Sequence, residues 1–585
     1  MKTIPLLLSA ALLCAQTPPA AQSWIEKSNR YTNLLLDIDK KYSPEEASSE
    51  GLAEYDTRIA VPTLANVMAE RKETEAVLAT LQAAAKTETD KNVSEDLSIL
   101  ITSTAQSLRT QDYARENLVP LLNPSRFVYG GIRSLLDPQT AAARRPAAVQ
   151  RLKEYAGQAA GFRAITQILQ ERELEAMARP NMVYPSRQRL ETELARNAII
   201  VAGIGDLFQK YNLNGWQDSF ATLQSKLLAY DAWVKANILP KARPDYREPP
   251  REYELALQGF GIDIPPAQIQ EMAHTAFTDL QDQMKPIAAR IAADRHLPSA
   301  DYRAVMRALK KDQITGDAIL PLYQGRLKDV EQIIREHHLV TLPERPCIIR
   351  LATAAETAQS PAPHMQPPPF LHNTGQRGSF VLPLNMPAAN GEATEKYDDF
   401  TFDAASWTLI AHEARPGHEL QFDSMLEHGV SLARALFAFN STNVEGWGLY
   451  AESIVLPYMP PEGQLVSLDY RLLRAARAFL DPELQAGKIT QAQATKVLTD
   501  DVVASPAFAR EEVERYTIQM PGQANSYFYG YTKLIALRAE TQRLLGDKFN
   551  AQRFHDFLLS QGLLPPDLMR KAVLEEFVPQ QQRSS

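Results

Sequence analysis

Cysteine is almost missing from this chain: there are two in 585 residues. Cys14 lies in an apolar N-terminal run and Cys347 opens a Cys-Ile-Ile stretch. If the first leaves with that run, no internal disulfide can form. Cys347 then reads as a small core residue and not as a nucleophile. The fold must be held by its core, and 45% apolar residues in a chain of this length allow a large one. Basic blocks are missing as well. With 62 Lys and Arg against 70 Asp and Glu, the net charge is -8. That argues against nucleic acid as a partner and against a grip on an anionic membrane surface. No repeat of fixed period is visible, which argues against a solenoid. Long apolar runs are confined to the start, where Lys2 precedes the stretch Ile4 to Ala15. It is too short for a permanent span and reads as a signal peptide over 1–21, cleaved after Ala15 or Ala21. Leu12 and Leu13 before Cys14 lack the small residue that lipoprotein processing prefers. The expectation is an exported protein, periplasmic or secreted, with no stable membrane insertion after cleavage.

What the chain has in quantity is helical periodicity. From about Trp24 to Val340 apolar residues recur at three and four, with prolines at breaks such as Pro120, Pro180 and Pro240. Length alone suggests two or more domains, yet no linker divides the sequence. Residues 22–585 therefore read as one mostly helical domain. The texture changes between Leu342 and Asn390. Cys347 to Leu351 and Ser379 to Leu384 predict two short strands joined by a proline-rich loop. Helical texture returns from Phe402 to about Phe577, and Pro579 to Ser585 reads as a frayed tail. The fold class is mainly α, with a small β element ahead of the helix that carries the chemistry.

That chemistry is concentrated in His412-Glu413-Ala-Arg-Pro-Gly-His418. Zinc takes imidazole nitrogens and carboxylate oxygens, and a catalytic site keeps one position open for water. A glutamate beside a ligand can serve as general base. The spacing of six is awkward: on an unbroken helix the imidazoles point about 120° apart. Pro416 and Gly417 supply a break that can swing His418 back beside His412. A third ligand is expected from Glu445, 27 residues after His418, in a helix whose start Ser441 or Asn443 can cap. Its neighbours are small and apolar, where an ionised carboxylate calls for a cation. Glu452, seven residues on, either orients a histidine or is a solvated surface group. Metal is thus expected in the 400–535 region, with zinc favoured only by ligand type.

The runs HEARPGHELQ from His412, EGWGLYAES from Glu445 and RYTIQMPGQANSYFYGYTKL from Arg515 resemble the bacterial family labelled domain of unknown function 885. That family in turn looks like a distant relative of zinc peptidases of the thimet oligopeptidase and angiotensin-converting enzyme type. The resemblance spans roughly residues 30–580 and implies a zincin-like (gluzincin) helical ellipsoid with a deep channel. It implies Zn2+ held by His412, His418 and Glu445, with Glu413 as base. Tyr527 matches the first family's motif and Tyr531 the oligopeptidase-like patch, so either is a candidate oxyanion donor. Arg515 reads first as a structural salt-bridge partner and second as a contact for a substrate carboxylate. The chain departs from the family at Glu419 and Gln485, where histidines are common, and both bear on substrate contacts. The expected activity is hydrolysis of short peptides, with Ser379 to Leu384 offering an edge strand to the substrate. The alternatives are hydrolysis of another amide or ester, or a non-catalytic periplasmic binding protein with a retained metal.

Overall fold

The computed structural model describes residues 19–386 and 395–583. The expected export segment lies outside them except for its last three residues. The chain is mainly helical, and the helices start where the sequence offers caps. Ser186 accepts from Arg189 N at the head of Arg187–Lys210, and Asp90 accepts from Asn92 N and Val93 N at the head of Lys91–Asn117. Along Arg187–Lys210 the residues Leu190, Ile200, Ile204 and Phe208 fall on one buried stripe. They join a core shared with Val128, Leu152, Leu223 and Tyr230. A larger core takes in Ile99 and residues from Leu257 to Val578 and encloses the C-terminal helices. In it Pro266–Asp294 packs along Pro461–Gln485, and Ser441–Val455 packs along Asn525–Leu545. Arg196 crosses from the N-terminal helices to Glu514 at 2.5 Å, joining the two. Among the described residues no helix is long and apolar enough to cross a membrane.

The β element has three strands where two were expected: β1 (Ile348–Leu351), β2 (His364–Gln366) and β3 (Ser379–Leu382), in the order β1-β3-β2. β1 runs parallel to β3, with Ile349 opposite Phe380, and β2 runs antiparallel, with Met365 opposite Phe380. The strand expected to offer a free edge is therefore the central one. All four β3 residues are buried, as a strand covered on both faces requires. β1 and β2 hold the two edges instead, and β2 is bounded by Pro363 and Pro367, residues that edge strands tolerate. Cys347, just before β1, is half-buried against the larger core. At the C-terminus the expected frayed tail is a short helix, Val578–Arg583. It is docked because Val578 is buried and Gln581 accepts from Arg553.

Candidate metal centre

The buried helix Asp403–Leu409 does not continue as an α-helix. Ile410–Ala414 form a π-turn, wider by one residue per turn. Arg415 is extended, the Arg415–Pro416 peptide is cis, and a new helix runs over His418–His428. The break expected at Pro416 and Gly417 is thus a widened turn followed by a non-helical link. Gly417 has to be glycine: a Cβ there would lie 1.8 Å from the His412 carbonyl oxygen. Trp447 Nε1 donates to the Pro416 and Gly417 carbonyls at 3.0 and 3.3 Å and pins the link. The two imidazoles end with ring centroids 4.6 Å apart and planes at 84°.

Glu445 comes from Ser441–Val455. Asn440 caps this helix by accepting from Asn443 N, in place of the expected Ser441 or Asn443. The Glu445 carboxylate stands 3.4 Å from His412 Nε2 and 3.3 Å from His418 Nε2. One ligand atom from each of the three residues lies within 4.8 Å of the others. Two turns later, Glu452 is buried and takes His412 Nδ1 at 2.7 Å and the Thr408 hydroxyl at 2.7 Å. Arg474 stands 3.7 Å away. The surface reading of Glu452 is therefore set aside. Its hydrogen bond places the proton of His412 on Nδ1 and leaves Nε2 facing Glu445 and His418. Gly448 makes the room, since a Cβ there would press on the His412 ring at 2.6–2.9 Å.

Three carboxylates, Glu413, Glu445 and Glu452, thus crowd two imidazoles in a buried space. Burial pushes the Glu445 carboxyl up, but both histidines outweigh it and hold it well below the usual range. Burial lowers the His412 pKa, while Glu445 and Glu452 lift it to about 9. The cluster calls for positive charge between its imidazoles, and a proton or a cation can answer that call. Glu413 Oε2, Glu445 Oε2 and His418 Nδ1 are buried without a hydrogen-bond partner. Unpaired buried acceptors beside two imidazoles suit a metal with nitrogen and oxygen ligands.

Tyr527, in Asn525–Leu545, stacks beside His412 with centroids 6.2 Å apart. Burial and Glu445 raise its pKa against Arg515 and Arg477, so the phenol keeps its proton. Arg515 Nη1 donates to its oxygen at 3.2 Å, and Arg477 lies over its ring at 4.5 Å. Tyr531 is one turn further and half-buried, with the Arg471 guanidinium 5.0 Å from its ring. Of the two tyrosines, Tyr527 meets the ligand cluster. Arg515 also pairs with Glu511 at 3.3 Å, in line with its structural reading. The two departures from the family pattern are tied down elsewhere. Glu419 binds Arg415 at 2.7 Å, and Gln485 bridges Glu248 N and the Tyr516 carbonyl. Sequence reasoning missed His364 on β2. Burial lowers its pKa and the charge of Glu413 pulls the other way, which puts the two within electrostatic reach. No ligand spacing marks it in Pro-His-Met-Gln-Pro, so nothing in the chain drew attention to it.

The chain belongs to the family described as bacterial protein of unknown function (DUF885), which matches residues 44–573. Two solved structures share the architecture. One is a candidate lipoprotein of unknown function from Shewanella oneidensis, with a TM-score of 0.69 and 20% identity. It covers 94% of this chain and 99% of its own. The other is a candidate lipoprotein from Colwellia psychrerythraea, with a TM-score of 0.73, 18% identity, and coverage of 95% and 98%. At these identities the likeness concerns the fold alone. No curated protein matches the sequence.

Proposed function

We propose that this chain is an exported zinc-dependent hydrolase that cleaves short peptides, built as a distant relative of the helical gluzincin peptidases around a substrate channel. The observation that carries the reading is the convergence of His412, His418 and Glu445, one ligand atom from each within 4.8 Å of the others, across a glycine-dependent break. Bound by His412, His418 and Glu445, a zinc ion would supply a Lewis acid and lower the pKa of a water molecule. Glu413, with one oxygen uncommitted, would take the proton of that water and pass it to the leaving amine. Tyr527, whose oxygen accepts from Arg515, keeps its own proton to donate to the developing oxyanion. Glu452 and Thr408 hold the His412 ring in place. A peptide is favoured over another amide or ester because β2 keeps one edge free and packs against both the His412 turn and the His418 helix. Export rests on the N-terminal apolar run, and an envelope location agrees with the two structural relatives.

The test is metal content per chain together with peptide hydrolysis, for the parent, His418→Ala and Glu413→Gln. The reading expects about one zinc in the parent, a marked loss in His418→Ala, and retained zinc in Glu413→Gln. Hydrolysis in Glu413→Gln should fall by about 10²–10⁴-fold. No metal in the zinc-supplied parent, or full activity in Glu413→Gln, would sink it. Retained zinc with no hydrolysis of peptides, amides or esters would favour a binding protein.

A further inference from the structure

The edge strand β2 joins the metal centre to a cavity. It packs against the Ile410–Ala414 turn that carries His412 and Glu413, and against the helix that starts at His418. At the last residue of β2, Gln366 lines a cavity of about 480 Å³ whose walls include Phe370, Phe422, Leu436 and Phe439. Phe422 belongs to the His418 helix, four residues after His418, so one helical turn of about 5.4 Å separates ligand and cavity wall. Two residues of strand, about 7 Å, separate the His364 end from the Gln366 end. The cavity and the metal centre are therefore neighbours along both the strand and the helix.

The cavity's polar walls are largely committed. Arg133 is bound to Glu356 at 2.6 Å and to Gln366 at 2.7 Å, and Arg144 to Asp56 at 2.6 Å. Glu50 is occupied by the backbone N–H groups of Phe370 and Leu371. Much of the apolar wall is aromatic, from Phe370, Phe422 and Phe439. Phe370 and Phe422 lie 6.0 Å apart, tilted, and Phe439 is 56% exposed. A phenylalanine that exposed, at the rim of a cavity, suits a ligand that covers it.

We propose that this cavity is the specificity pocket of the metal centre, taking a large apolar side chain, aromatic by preference, from a peptide laid along the free edge of β2. That side chain belongs to the residue about two positions from the bond cleaved. The inference rests on the hydrolase reading above and goes beyond it by naming the substrate class: short peptides with an aromatic or bulky aliphatic residue at that position.

The experiment uses the full mature chain loaded with zinc and a set of quenched fluorescent hexapeptides. In these peptides Phe replaces Ala at each position in turn. The parent should cleave the best Phe peptide at least about tenfold faster, as kcat/KM, than its Ala counterpart. Phe439→Ala and Phe439→Arg change an exposed side chain and should fold. They should cut that ratio severalfold or more with zinc content unaltered, and Phe422→Ala should do the same if it folds. Anisotropy with Glu413→Gln, alone and combined with Phe439→Arg, reads binding without turnover. A Phe preference that Phe439→Arg leaves intact in both assays overturns the pocket, as does the lack of any Phe preference. If hydrolysis is absent but aromatic peptides bind in a Phe439-dependent way, the pocket stands and the hydrolase reading falls.

Discussion

Two helices of this protein make an instructive pair: Arg187–Lys210 in the N-terminal half and His418–His428 at the candidate metal centre. The first buries Leu190, Ile200, Ile204 and Phe208 along a stripe, with Arg196 and Asn197 buried at its flank, and leaves its opposite face wet or half-covered. The second buries every residue from His418 to Met425, polar ones included. In the first helix an apolar period settles which side faces in. In the second, burial says little, and the question becomes where each polar group finds its partner. Glu419 finds Arg415, Gln421 finds Asn443, and Asp423 faces the Gly378 N–H. His418 Nδ1 has no partner, and His418 Nε2 stands at 3.3 Å from Glu445. Gln421 Oε1 and Asp423 Oδ2 also lack partners, so what marks His418 is the approach of its Nε2 to Glu445, beside His412.

The largest test of that contrast is Gly417→Ala. The added methyl would lie 1.8 Å from a backbone oxygen, with no flexible side chain to yield. Removing the clash means remaking the link between the histidines. The zinc proposed for the parent should be lost and stability should drop by roughly 4 kcal/mol or more, read by elemental analysis and urea unfolding. Normal zinc content in this variant would mean that the link is not what brings the histidines together.

The same contrast explains what was legible in the sequence. His412 and His418 stand out because two of only ten histidines fall within seven residues with a glutamate beside the first, Glu445 because its neighbours are small and apolar, and the Pro-Gly pair points to the break that the awkward spacing needs. The form of the break, a π-turn at Ile410–Ala414, was not legible, since nothing local distinguishes one widened turn from a kink. β2 was missed because three partly polar residues between prolines carry no alternating pattern. With β2 missing, β3 was read as an edge, although the wholly apolar core of Ser379–Leu382, Phe-Val-Leu, suits a central strand. Gly448 was in plain sight in the EGWGLY run, but its reason, the His412 ring beside it, exists only in three dimensions.

A smaller effect belongs to the N-terminal half, where a buried carboxyl is partnered by neutral groups only. Glu173 accepts from the Tyr230 hydroxyl at 2.6 Å and from Leu122 N at 3.3 Å, and burial lifts its pKa from 4.5 to about 7. A carboxyl raised in the folded state is easiest to keep at low pH. Its penalty grows as pH climbs from about 4.5 to 7 and is constant above that. At 1.36 kcal/mol per pH unit, Glu173→Gln should gain on the parent by up to about 3 kcal/mol across that window. Urea unfolding at pH 5, 6, 7 and 8 measures it. A difference that does not vary with pH would show that Glu173 is already ionised in the fold.

The smallest effect is the counterpart of Gly417. Gly325 lies in the exposed face of the helix Ile319–Glu336, and a Cβ there meets nothing within 4 Å. Glycine inside a helix gives up more backbone freedom on folding than alanine does. Gly325→Ala should therefore stabilise the chain by about 0.4–1 kcal/mol and leave zinc content unchanged. The same chemical change, one added methyl, then carries opposite signs at two glycines. At position 325 the sign is set by the entropy of the unfolded chain, at position 417 by a carbonyl oxygen already in place. If Gly325→Ala were as costly as Gly417→Ala, the damage at 417 could no longer be assigned to the metal-site link.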